Sequence, residues 1–254
     1  MSLDPKALSG LHMWEDWQKT VEAALPNFAA NPIYVEQLSP SDKEFDRVAK
    51  EVSEHVIHYE ARLRDVEFGG VARDTTAFGP VTRMWLDANI ELDFLLTHFP
   101  FSSDKKVLEV GAGYGRLAVI GRAFFARWAC VDAVPISTKI CREYCGRFNP
   151  KVEVASLDDF CALAEPGMFD LAVNIHSWNE CSVEQVKQWL DALVFLKIPY
   201  LFTVSHGQLK TDSAYKTQEP GQPSFRHLLT ERYDLIVEES IGLGSHPHAI
   251  WKLK

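Results

Sequence analysis

The stretch Val107-Leu108-Glu109-Val110-Gly111-Ala112-Gly113-Tyr114-Gly115-Arg116-Leu117-Ala118 decides the fold. Val107–Val110 reads as a short strand, the glycines at every second position as a turn, and the residues from Arg116 as a helix running to Arg127. Glycine allows backbone conformations that other residues resist, and lets N–H groups come close to a ligand. A helix N-terminus behind such a turn adds partial positive charge that suits a carboxylate or phosphate. Asp132 ends the next predicted strand, about twenty residues on, where an acidic side chain can bind ribose hydroxyls. A dinucleotide loop has the spacing G-x-G-x-x-G, but here Arg116 stands where its third glycine belongs.

Outward from this loop the pattern alternates. Apolar runs at Val107–Val110, Ala129–Val131, Val152–Val154, Leu171–Ile175 and Tyr200–Val204 are separated by helical segments at Arg116–Arg127, Ile136–Arg147 and Val183–Leu196. Ser182 and Gln185 form a capping-box pair for the last of these. Strand and helix in alternation imply parallel strands with crossover helices, hence a doubly wound α/β sheet covered on both faces. Tyr233–Ile241 and His248–Leu253 are strand-like with no helix between them, which predicts a hairpin and one antiparallel strand. His246 and His248 flank Pro247 in the expected turn and read as solvated.

Residues before Pro100 read mostly as helix. Trp14, Trp17, Val21 and Leu25 recur at helical spacing, as do Phe45, Val48, Val52, Val56, Tyr59 and Leu63 behind candidate N-caps Ser39 and Ser41. Gly69, Gly70, Gly79 and Pro80 mark a loop, and a third apolar helix runs through Trp85, Leu86, Asn89, Ile90, Asp93, Phe94 and Leu96. The chain of 254 residues therefore divides into a helical N-terminal region, 1–103, and an α/β core, 104–254. The N-terminal helices are expected to cover a ligand or to form a homodimer interface.

Composition is that of an ordinary globular protein, 46% apolar and 24% charged. No run of apolar residues is long enough for a membrane span, and MSLDPKALSG has no signal-peptide core. A net charge of −9 argues against a nucleic-acid binder with a broad basic face. The five cysteines include no Cys-x-x-Cys pair, so they read as reduced thiols of a cytoplasmic protein.

The E-x-G-x-G-x-G segment from Glu109 to Gly115, with Asp132 beyond it, resembles the first motif of class I S-adenosylmethionine-dependent methyltransferases. A mostly parallel, Rossmann-like sheet closed by an antiparallel C-terminal strand is the arrangement that family has. The resemblance implies S-adenosyl-L-methionine as cofactor. Gly111, Gly113 and Gly115 would pack against its methionine and ribose portions, Glu109 would orient the amino group, and Asp132 would take the ribose hydroxyls. Leu157 and Asp158 would flank adenine, with Asp159 an equal candidate beside a helix cap.

Ligands of open α/β sheets lie beyond the carboxyl ends of the strands. There the sequence places His176, Asn179 and Glu180 after one strand and His206 after the next. Two histidines and a carboxylate on one rim are acid–base material. The loop 109–118 paired with Asn-Ile-His-Ser-Trp-Asn-Glu at 174–180 is similar to sugar O-methyltransferases of bacterial surface-polysaccharide clusters. That likeness implies methyl transfer to a hydroxyl of a sugar or surface glycan, with His176 as general base, Glu180 as its orienter and His206 alongside. Trp178-Asn179-Glu180-Cys181 departs from the pattern of that group, which touches the acceptor more than the cofactor. No ligand spacing demands a metal. Gly207–Pro223 reads as a polar lid or a disordered loop, from which Lys210, Tyr215 and Gln218 could meet a sugar. Arg116, Lys210 and Lys216 are the cations available to a phosphorylated donor. Other readings are a methyltransferase acting on a small metabolite or protein side chain, an NAD(P)-dependent oxidoreductase, and a non-catalytic scaffold.

Overall fold

The computed structural model describes residues 3–9, 14–25, 27–30, 41–52, 63–209 and 213–254. Its centre is a seven-stranded sheet. In chain order the strands are β3 (Lys106–Val110), β4 (Arg127–Val131), β5 (Glu153–Ala155), β6 (Leu171–Ile175), β7 (Tyr200–Val204), β8 (Tyr233–Ile241) and β9 (His246–Leu253). The spatial order is β5-β4-β3-β6-β7-β9-β8. The first five strands are mutually parallel, and β9 inserts antiparallel between β7 and β8. This is a Rossmann-like α/β fold with an antiparallel C-terminal strand, as the sequence implies.

Neighbouring strand residues point to opposite faces. Val107, Val173 and Phe202 enter one apolar core, while Leu108, Ala172 and Leu201 enter the other. The first face is covered by α4 (Arg83–His98), α5 (Arg116–Gly121) and α6 (Pro135–Phe148), together with the N-terminal helices α2 (Trp14–Ala24) and α3 (Asp42–Val52). The second carries α1 (Pro5–Ser9), α7 (Leu157–Leu163), α8 (Val183–Phe195) and α9 (Arg226–Arg232). No helix among the described residues is long and apolar enough to cross a membrane.

Ser41 caps α3, its hydroxyl accepting from Glu44 N at 3.2 Å. Ser39, Val56 and Tyr59, and the side chains of Trp14 and Trp17, lie outside the described residues. Gly79 and Pro80 belong to a small hairpin, β1 (Ala72–Thr75) with β2 (Gly79–Thr82), where a plain loop was expected. Thr82 caps α4 by accepting from Trp85 N, and Ser182 and Gln185 form the expected capping box of α8. The helix expected to reach Arg127 ends at Gly121. The Trp128 ring lies against Gly121 where a side chain would stand, and Arg122 turns back to Phe125 O at 2.6 Å, freeing Arg127 to open β4.

Among the buried polar groups, Asp65 stands out. It lies in the turn Arg64–Phe68, is 3% exposed, and accepts from Tyr114 and Tyr144 hydroxyls at 3.1 and 3.0 Å and from Thr82 at 3.0 Å. Burial raises its pKa against those three hydrogen bonds.

Candidate active site

Two cavities meet at the carboxyl ends of the parallel strands. The first is lined by the glycine loop and by Glu109, Asp132, Val134 and Ser137. Gly111, Gly113 and Gly115 all have positive φ, at 70, 56 and 86°. A side chain at Gly111 would strike Ser177, and one at Gly115 the sulfurs of Cys145 and Cys141. Only glycine fits this path.

Asp132 ties the loop to the neighbouring turn. Its carboxylate accepts Gly113 N at 3.0 Å and Val134 N at 2.8 Å. Burial lifts its pKa to about 6 against these hydrogen bonds. Glu109 is 4% exposed and accepts Trp128 Nε1 at 2.8 Å. Burial, the largest influence, raises its pKa to about 8. An anion held so far from water favours a cationic partner.

Leu157 and Asp158, expected beside adenine, do not line this cavity. Leu157 is packed in the core with Leu8 of α1, and Asp158 is exposed on the first turn of α7. Asp159 closes the cap of that helix, accepting from Ser156 Oγ at 2.6 Å. The wall there is made instead by Leu8 and Ser9 with Trp178 and Trp189. Trp189 Nε1 holds α1 in place by donating to Leu8 O at 3.1 Å.

The second cavity lies beside the first, between α4 and the ends of β6, β7 and β9. It is lined by Asp87 and Glu91 of α4 and by His206, His246 and His248, and shares Arg116, His176 and Glu180 with the first. Arg116 is not open to a phosphate. Glu91 grips its guanidinium in a bidentate pair at 2.7 and 2.5 Å, both side chains nearly buried. Burial brings Glu91 to about 7 even so. Arg83 similarly pairs with Asp87 at 3.3 Å. Lys210 lies outside the described residues.

His176 sits at φ 62°, ψ −27°, left-handed geometry unusual for a non-glycine residue. Asn174 builds that corner: its amide nitrogen donates to Val110 O at 2.9 Å and Ser177 Oγ at 2.6 Å, and its oxygen accepts Trp178 N. Asn179 is not a site residue. It is 2% exposed and stitches the following loop, donating to Lys216 O and accepting from His206 N. Glu180 faces both cavities, and burial, with Asp132 nearby, raises it to about 8. His176 moves the other way: burial, then the other histidines, hold it well below the usual imidazole value.

His246 and His248, expected in a solvated turn, are buried at 8 and 4% exposure. The turn is made by Gly242 and Leu243–Ser245, so β9 begins at His246 and His248 pairs with Val204 of β7. Tyr215 is likewise fully buried. Its hydroxyl donates to Glu238 at 2.5 Å and its ring meets Trp251 and Phe225, so it faces the core and no acceptor. Asp87 and Glu91 escaped the sequence reading. The signal was there, since Glu91 falls on the buried stripe of an apolar helix, with the half-buried Asp87 one turn before it.

No protein family matches the sequence, and no curated protein is similar to it. The fold is similar to that of solved structures. One is the PH0226 protein of Pyrococcus horikoshii OT3, with TM-score 0.53 and 14% identity over 65% of this chain and 89% of that one. The N-methyltransferase NodS of Bradyrhizobium japonicum gives 0.49 and 16%, covering 66% and 94%. A SAM-dependent methyltransferase of Aquifex aeolicus gives 0.46 and 15%, covering 65% and 92%. Identities this low speak to the fold alone.

Proposed function

We propose that this chain is an S-adenosylmethionine-dependent methyltransferase that acts on a hydroxyl of an uncharged, sugar-like acceptor. One observation carries the reading: a glycine-cradled cavity and a carboxylate-lined cavity share a wall of His176, Glu180 and Arg116. Cofactor in one and acceptor in the other would meet at that wall. The chain's own residues fit the cofactor. Glu109 offers a buried carboxylate for the ammonium, and Asp132 one for the ribose. When bound, the cofactor supplies a methyl carbon whose bond to sulfur breaks as the acceptor oxygen bonds to it.

An alcohol must lose its proton to become a good nucleophile. Glu180, at about 8, holds a proton far better than His176, whose ring the site keeps neutral. The carboxylate therefore receives the proton, and His176 with His206 positions the hydroxyl, reversing the roles expected from sequence. Glu180 can accept a hydroxyl hydrogen bond, and the cations beside it are already paired with Asp87 and Glu91. That set suits a polyol and opposes a phosphate. Calorimetric titration with S-adenosylhomocysteine tests the cofactor half, and absence of heat at millimolar ligand would remove it. A panel of glycans, sugar nucleotides and metabolites with labelled cofactor tests the acceptor half; labelled amines alone would overturn the hydroxyl assignment.

A further inference from the structure

Three imidazoles cluster beyond the glycine loop. His176 follows β6, His206 follows β7, and His246 opens β9, so three separate strands deliver them. The rings of His176 and His206 stack at 4.2 Å, and His246 stands edge-on to both at 4.9 and 5.8 Å. One ring nitrogen from each lies within 4.8 Å of the other two. Packing alone explains this poorly. Imidazoles so close oppose one another's protonation, and the lone pairs of neutral rings have no mutual attraction. His176 Nδ1 is buried and has no hydrogen-bond partner among the described residues. A buried group left so costs about 1–3 kcal/mol. The left-handed backbone of His176 adds strain of roughly 1–3 kcal/mol. Both costs converge on the residue at the centre of the cluster.

We propose that His176, His206 and His246 form a binding site for a divalent transition cation of the zinc class. A bond of about 2.0–2.1 Å to each nitrogen sets the donors about 3.3 Å apart in a tetrahedron. The donors then close by about 1.5 Å at most, and the stacked rings of His176 and His206, 14° from parallel, must tilt by side-chain rotation so that their in-plane lone pairs converge. Three nitrogen donors select zinc, cobalt or nickel over magnesium or calcium, which take oxygen. Neutral donors leave the cation's charge uncompensated, and Glu180, which lines the same cavity, is placed to balance it, whereas Asp87 and Glu91 already pair with Arg83 and Arg116. With three protein ligands the fourth position stays open, as catalytic zinc sites have it. A hydroxyl bound there ionises more readily. This last role rests on the methyl-transfer reading, whereas metal binding itself does not.

The test uses the whole chain, stripped with chelator and dialysed. Titration with Zn2+ is expected to give one equivalent per chain, and Co2+ a visible absorption band of imidazole-bound cobalt. His206→Ala and the milder His206→Gln should each weaken Zn2+ by at least about 100-fold. Far-UV circular dichroism and thermal unfolding of both variants confirm that they fold, without recourse to activity. Zn2+ binding by the wild type that stays substoichiometric at about 100 μM metal would overturn the site. So would undiminished binding in both folded variants. S-adenosylhomocysteine titrated into the same samples separates the two readings, since His206 does not line the cofactor cavity.

Discussion

Replacing Gly115 by alanine probes the glycine loop most directly. Gly115 sits at φ 86°, ψ 25°, just before α5. An L-residue in that left-handed geometry costs roughly 1–2 kcal/mol from the backbone alone. The new Cβ would stand 2.6 Å from Cys145 Sγ and 2.9 Å from Cys141 Sγ, both in buried side chains. Forcing a methyl group into a packed site adds about 1–3 kcal/mol. The sum, about 2–5 kcal/mol, is a large share of a typical domain stability of about 5–15 kcal/mol. Cys145→Ala removes the nearer sulfur. The double variant should recover part of the packing loss, since Cys141 Sγ remains 2.9 Å away, and none of the backbone loss. Urea unfolding of the four proteins closes the cycle, with a favourable coupling of about 1–2 kcal/mol expected. Additivity within about 0.5 kcal/mol would refute the claim that the thiols occupy the space a side chain needs. A loss below about 1 kcal/mol for Gly115→Ala would refute the backbone argument as well.

Glu91→Ala strands the Arg116 guanidinium in the interior and should cost about 3–5 kcal/mol in urea unfolding. Adding Arg116→Met should restore much of it; a single variant as stable as wild type would mean the pair is solvated. Affinity for S-adenosylhomocysteine should rise with pH toward about 8, because Glu109 must ionise to meet the ammonium. In that range the rise approaches about tenfold per unit, and Glu109→Gln should bind weakly with a flat profile. Methyl transfer should likewise climb with pH to a limb near 8 set by Glu180. Glu180→Gln should lower turnover by about 10²–10⁴-fold and erase that limb. An unchanged limb in the variant assigns the base elsewhere.

The fold was legible because its signals are local. Continuous apolar runs, the glycine turn and the Ser182–Gln185 cap each depend on a few adjacent residues, and the strands fall within two residues of expectation. The edges of the reading failed where distant packing decides. The helix after the glycine loop ends at Gly121, where Trp128 packs in the space a side chain would fill, a contact no local pattern reveals. Glu109, Gly111, Gly113 and Asp132, which the motif implies for a cofactor, line one cavity. Leu157 and Asp158 do not, because α1, far away in sequence, covers that flank. His246 was misread for a subtler reason. A proline between two histidines resembles a turn, yet here Pro247 lies inside β9, paired with Ser240 of β8, and the short turn ends two residues earlier at Ser245. Asp87 and Glu91 hid inside a helix whose apolar content marks it as core.

Asp65 joins the Arg64–Phe68 turn to the glycine loop, beside the Glu67–Arg147 ion pair that ties the same turn to α6. Tyr114 belongs to the glycine loop, Tyr144 to α6 and Thr82 to the cap of α4, and all three hydroxyls end on this carboxylate from the Arg64–Phe68 turn. Shifting the turn would leave a buried anion without its donors, so the loop cannot be displaced from the turn cheaply. Whatever tightens one tightens the other. By thermodynamic reciprocity, a ligand that orders the glycine loop anchors the N-terminal turn by the same free energy with which that turn favours the ligand.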